Sequence, residues 1–213
     1  MRIAAPERGD MLGATTTHNQ QPYYQGNKLM RISPTDPDKL NAEQKTIYDR
    51  IAGGPRGQVR GPYHAFLLHP GVCEGVERMG HFLRFAAILP GNVRELAILV
   101  VGRHWRCEFE WFAHAPIAIR EGVSEDVVAA LEADETPNFS NDTEAAIYSF
   151  VRTLLHTSRI DQAAYDDMKG RLGEDGVVEL MGIIGHYTGV AMALNTFEIV
   201  PPDGERPGFG DQA

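Results

Sequence analysis

Residues 177–197, VVELMGIIGHYTGVAMALNTF, restrict the fold more than any other part of the chain. Read as a helix, the run is apolar nearly all round, with small residues at Gly182, Gly185, Gly189 and Ala193. A soluble helix of that kind is buried on several sides, so other elements must surround it. Small residues let a second helix approach closely, and subunit contacts are expected to form part of the packing. The rest of the chain also reads as helical. Asn41 opens a helix over about 42–52, with Ile47 and Ile51 at helical spacing. Pro70 suits the first turn of a helix that runs to about residue 88. After a turn at Leu89-Pro90-Gly91-Asn92 comes the helix that holds Glu95. Ser124 caps a short helix through Leu131, and further helices are expected over about 143–156, 161–171 and 175–196. No convincing strand alternation appears, and the expected fold class is all-α.

The chain has 213 residues, of which 43% are hydrophobic, enough for one domain with a sizeable core. Residues 1–35 are polar and aperiodic and read as an arm, flexible or wrapped on a neighbouring subunit. Residues 36–200 form the helical domain, and Pro201-Pro202 end the order ahead of a polar tail over 201–213. The formal charge of -9 argues against nucleic acid or an anionic membrane as partner. No apolar run is expected to span a membrane, because charges or glycines interrupt each one. The first residues lack the apolar stretch of a secretory signal. Cys73 and Cys107 stand far apart and make no disulfide framework, so a reducing cytoplasm is the expected location.

The chemistry concentrates in residues 95–122, ELAILVVGRHWRCEFEWFAHAPIAIREG. Glu95 is the one acid of an apolar helix. It is either a first-turn acid favoured by the helix dipole or a partly buried proton carrier. If the run after the Gly102-Arg103 break is helical, Cys107, Glu110 and His114 share a face, three and then four residues apart. Glu110 could orient His114 as a general acid or base, or the two could be a surface pair. Cys107 reads equally as a buried hydrophobe or as a thiol activated by Arg103, Arg106 and a helix start. His104 could join the set as a metal ligand, unless the helix breaks near Arg106. No spacing matches a zinc motif, and neither a metal nor an organic cofactor is expected. Arg94 and Arg103 could pair with Glu95 or with a substrate carboxylate. His64 and His69 flank an apolar stretch and are candidates for the same cleft. Trp105, Trp111 and Phe112 read as core or interface aromatics.

These residues resemble the carboxymuconolactone decarboxylase family, which includes the AhpD-like alkylhydroperoxidases. The resemblance rests on three features. The first is RELAIL with Glu95, followed by Gly102-Arg103 and Cys107. The second is His114 with Ala118, Gly122-Val123-Ser124 and Glu125-Asp126. The third is Gly185-His186-Tyr187 with Leu194-Asn195. The resemblance implies an AhpD-like helical fold assembled as a trimer or hexamer, with a small organic acid or lactone as substrate. His114 would be the acid/base, helped by Glu110 and Glu95, while Arg103, His186 and Tyr187 would bind substrate. One departure stands out: Glu110 occupies the place where peroxidase members carry the second cysteine of C-x-x-C. The alternative is a thiol peroxidase or related redox protein that uses Cys107. A third reading, a non-catalytic helical scaffold, predicts a closed interior with no cleft beside His114.

Overall fold

The computed structural model describes residues 23–25, 28–202 and 207–209. Eight α-helices are formed among them: α1 (Ala42–Gly53), α2 (Tyr63–Phe66), α3 (Pro70–Phe85), α4 (Gly91–His104), α5 (Glu108–Arg120), α6 (Glu125–Glu132), α7 (Asp142–Thr157) and α8 (Gln162–Thr196). A 3-10 turn over Pro37–Lys39 precedes them. Two three-residue strands, β1 (Tyr23–Gln25) and β2 (Lys28–Met30), pair antiparallel with Tyr23 opposite Met30. The fold is all-α apart from this ribbon, which is too short to leave a readable alternation.

Local chemistry sets the helix ends. Asn41 and Gln44 cap α1 reciprocally, and Ser124, Asn141 and Asp161 accept from the first turns of α6, α7 and α8. Gly173 (φ 76°) breaks α8 where the sequence shows two helices. Arg106 (φ 48°) does the same between α4 and α5. There the amide of Cys107 donates to Gly102 O at 2.8 Å and that of Arg106 to Arg103 O at 3.0 Å. This Schellman pattern normally has glycine at the left-handed position. An arginine there costs about 1 kcal/mol in backbone strain.

α4 is the hub. It packs against α5, α6, α7 and α8, and every residue from Glu95 to Gly102 is buried. Its apolar side chains join Leu180, Ile183, Ile184 and Tyr187 of α8 and Ile147 and Val151 of α7 in one core. Glu179 of α8 ties the α3–α4 turn to this core by accepting from the amides of Ile88 and Leu89, each at 2.8 Å. This anchored turn also ends α3 at Phe85, short of the expected residue 88. By length and composition a window of α8 is apolar enough to span a membrane, contrary to the sequence expectation, because its glycines barely lower the mean hydropathy. Half of that window is buried within the fold.

Two segments pack more than expected. Met30 is buried, the Arg31 amide donates to Phe197 O at 3.1 Å, and the Thr35 amide donates to His64 Nδ1 at 3.1 Å. The last residues of the supposed arm therefore lie on their own domain, while residues 1–22 and 26–27 are outside the described residues. In the polar tail, Phe209 is buried against Trp111 with ring centroids 5.3 Å apart, and Arg106 Nη2 donates to its carbonyl at 3.0 Å. One aromatic with two arginines around it suffices to dock that point. The rest of the tail, 203–206 and 210–213, lies outside the described residues.

Candidate active site

Three side chains from two helices meet under α8. Glu95 projects from α4, and Glu110 and His114 from α5, one helical turn apart. Their exposures are 2, 4 and 4%, so no bulk water screens them. His114 Nδ1 lies 2.7 Å from Glu95 Oε2, and Arg94 Nε lies 3.3 Å from Glu95 Oε1. Burial pushes the Glu95 carboxyl upward. The His114 hydrogen bond and charge and the Arg94 guanidinium outweigh it and hold the group below its ordinary value. An ionised carboxylate only accepts, so the Nδ1–H of His114 donates this hydrogen bond. Nε2 faces Glu110 Oε2 at 3.5 Å. That oxygen is buried and makes no hydrogen bond among the described residues.

Glu110 behaves oppositely to Glu95. Burial raises it above its ordinary value of 4.5, and the opposing pulls of His114, Arg84 and Arg56 leave the net shift upward. A raised carboxyl contributes stability below its unfolded value that is lost as pH rises through the folded value. Glu110→Gln should therefore gain stability relative to wild type as pH climbs from about 4.5 toward 8. Urea unfolding across that range reads it directly, and parallel curves would show that Glu110 has an ordinary pKa.

The cleft in front of this group has a cavity volume of about 60 Å³. Glu110, His114, His186 and Tyr187 line it, together with Arg56, Arg60, Tyr63 and Arg84. The Tyr187 ring packs edge-on to His114 at 5.0 Å, and the His186 ring to Tyr187 at 5.1 Å. Burial first, then Arg56 and His114, lower His186 to about 4, so it is a neutral ring at pH 7. A cleft beside His114 is the opposite of what a closed scaffold would have.

The structure brings Glu95, Glu110, His114, His186 and Tyr187 of the expected set together. Glu95, not Glu110, orients the imidazole, and Glu110 faces its other nitrogen. Cys107 does not join the face. It is the N-cap of α5 in extended conformation, fully buried among Ala65, Phe109, Val190, Ala191 and Leu194. Burial, then Glu110, push its thiol far above the ordinary range. Cys73 is buried in a separate cluster with Ile47, Ile51 and Leu67. Arg103 leaves the site as well. It points to the far side of α4, where it donates to Leu131 O at 3.1 Å, sits 3.6 Å from Asp134 and lies over the Phe209 ring. The break at Arg106 turns His104 outward against His156, and among the described residues no three His, Cys, Asp or Glu side chains form a metal-holding group. His64 binds Thr35 and His69 caps α3, and neither lines the cleft. Arg56 and Arg60, in the glycine-proline loop over residues 53–62, and Arg84 are the lining residues the sequence reading missed.

No protein-family model matches the chain, and no curated protein matches it. Solved structures do. A peroxidase-related protein with an alkylhydroperoxidase AhpD core from Ralstonia eutropha JMP134 superposes with TM-score 0.69 at 12% identity, covering 88% of this chain and 100% of that one. A peroxidase-related protein from Silicibacter sp. TM1040 gives 0.63 at 15% identity, covering 83 and 97%. The debrominase Bmp8, as a cysteine-to-alanine variant in complex with 2,3,4-tribromopyrrole, gives 0.63 at 13% identity, covering 82 and 92%. The fold is AhpD-like. Identities this low carry no chemistry with them.

Proposed function

We propose that this AhpD-like chain is an acid–base enzyme acting on a small organic acid or lactone, with loss of carbon dioxide as the favoured reaction. The observation that supports it is the Glu95–His114–Glu110 line, which ends in the cleft while Cys107 does not. Glu95 holds the proton on Nδ1, His114 Nε2 can take a proton, and Glu110, whose hold on a proton burial strengthens, can give one. In a decarboxylation the bond to the departing carboxylate breaks and its electron pair enters the adjacent carbonyl. The resulting enolate then takes a proton at carbon from Glu110, and Glu110 recovers one from solvent by way of His114 Nε2, 3.5 Å away. A β-keto or vinylogous acid needs no organic cofactor for this, because its own carbonyl accepts the electrons. Screening keto acids and lactones for carbon dioxide release tests the reading. Release that survives in Cys107→Ser supports it, and release lost in Cys107→Ser sinks it.

The second reading is a thiol peroxidase, favoured by the likeness to two peroxidase-related structures. It requires Cys107 to ionise and a second thiol to resolve it. The buried thiol, and Glu110 in place of a second cysteine, weigh against it. We therefore group the chain with a Cys-x-x-Glu form of the fold in which the cysteine is structural.

We also propose that copies of this chain associate. Met79 and Phe82 of α3 and Val178, Met181 and Met192 of α8 are large apolar side chains with 38 to 71% exposure on helices that touch each other. Gly185 and Gly189 add open space along α8 for a close helix. Light scattering should give three or six times the 23.5 kDa chain mass, whereas a monomer would contradict the assembly.

A further inference from the structure

A second cavity, of about 170 Å³, opens between the C-terminal ends of α4, α6 and α7, and shares no lining residue with the His114 cleft. Val100 and Leu131, both buried, and Leu155, partly buried, give it apolar walls. Arg106, Arg152, His104, His156 and Tyr148 supply its polar part. Two carboxylates, Asp134 and Glu135, also line it, and Arg103 lies 3.6 Å from the first and offsets its charge. In a chain of net charge -9, a cavity where arginines and histidines outnumber acids suits an anion.

The polar groups are held in place. Arg152 Nη1 donates to the Tyr148 hydroxyl at 2.6 Å, and its guanidinium lies 5.7 Å from the centroid of that ring. The phenol oxygen accepts this bond and keeps its own proton to give, and the buried Tyr148 has no acceptor for it among the described residues. The Nδ1–H of His156 donates to Arg152 O at 2.8 Å, and its ring packs edge-on to His104 at 5.1 Å. Tyr148, Arg152 and His156 also line an adjoining groove of about 390 Å³, and Arg152 and His156 are exposed, so solvent reaches this junction. Backbone strain gathers here as well. Two of the four non-glycine residues with positive φ among the described residues, Arg106 (48°) and Asp134 (61°), line the cavity. Glycine is the usual residue in that conformation, and such strain concentrates at functional sites.

We propose that Tyr148, Arg152 and His156, with Arg106, bind the phosphate group of a small phosphate monoester whose organic part lies against Val100, Leu131 and Leu155. The site goes beyond the acid–base reading and stands or falls without it. Its donors come from two places in the chain, α7 and the break between α4 and α5. A flat carboxylate is satisfied by one guanidinium fork, whereas a phosphate offers three oxygens to a phenol, a guanidinium and an imidazole together. The apolar walls add nothing for inorganic phosphate, so the ester and not the free ion is the ligand. The cavity is smaller than the roughly 300–1,000 Å³ of pockets for drug-sized molecules, so the organic part is small.

The test is calorimetric titration of the full chain at low ionic strength with phenyl phosphate, inorganic phosphate and benzoate. Phenyl phosphate should bind about tenfold or more tightly than either of the others. Arg152→Gln, a change at an exposed position, should weaken that binding about tenfold or more. Tyr148→Phe keeps the ring, loses the O–H and should weaken it as well. Glu135→Gln removes an exposed carboxylate from the lining and should tighten it, a gain that a damaged fold does not give. Arg84 lines the other cleft, and Arg84→Gln should leave the binding unchanged. Phenyl phosphate that binds no better than benzoate overturns the phosphate assignment, and inorganic phosphate that binds as tightly overturns the ester. Wild-type affinity in Arg152→Gln, or a loss in Arg84→Gln, overturns the site.

Discussion

His114→Gln is expected to lower turnover of any substrate by about 10²- to 10⁴-fold, the usual contribution of a positioned general acid or base. Glutamine fills similar space and can still donate to Glu95, so the fold and the 2.7 Å contact have a substitute. What it lacks is a nitrogen lone pair that can accept a proton on the cleft side. The loss should fall in kcat rather than KM, since His114 is 4% exposed and offers little surface for ground-state binding. Glu95→Gln should cost less than His114→Gln, because the imidazole remains and only its tautomer is set free. A His114→Gln enzyme with wild-type kcat would remove His114 from the chemistry.

Leu180→Ala carries the largest expected loss of stability, about 2–5 kcal/mol. Leu180 is fully buried where α8 crosses the α4 core, so truncation leaves a cavity that neighbours on several helices cannot all fill. Thermal unfolding should drop by roughly 10 °C. The adjacent Met181 is 38% exposed, and Met181→Ala should cost far less in the isolated fold. Equal losses at the two positions would mean that α8 is not oriented as described.

The apolar, glycine-dotted run of α8 made it legible as a helix covered on several sides, and the lone acid of α4 marked Glu95 for attention. The i, i+4 spacing of Glu110 and His114 was equally plain. Their division of labour was not. Glu95 and His114 are 19 residues apart on two helices, and which carboxylate meets which ring nitrogen depends on how those helices cross. The same limit hid Arg103, whose direction follows from helix phase rather than from its place in a motif. The fate of Cys107 turned on Arg106, where a residue unsuited to left-handed backbone ends α4 and starts α5 at the cysteine. A glycine at 106 would have signalled that break; an arginine does not. Arg56 and Arg60 stand in a glycine-proline loop with no periodicity, so nothing local told which way they point.

On the proposed acid–base reading the imidazole of His114, and not the thiol of Cys107, is the reactive group. Alkylation of the reduced protein with iodoacetamide across pH, with the label located by mass spectrometry, tests it without knowledge of the substrate. Cys107 should stay unlabelled in the folded protein up to and beyond the ordinary thiol value of 9.0, with or without peroxide, and label only on unfolding. Rapid labelling of Cys107 at neutral pH, abolished by peroxide, would contradict it and return the chemistry to the thiol.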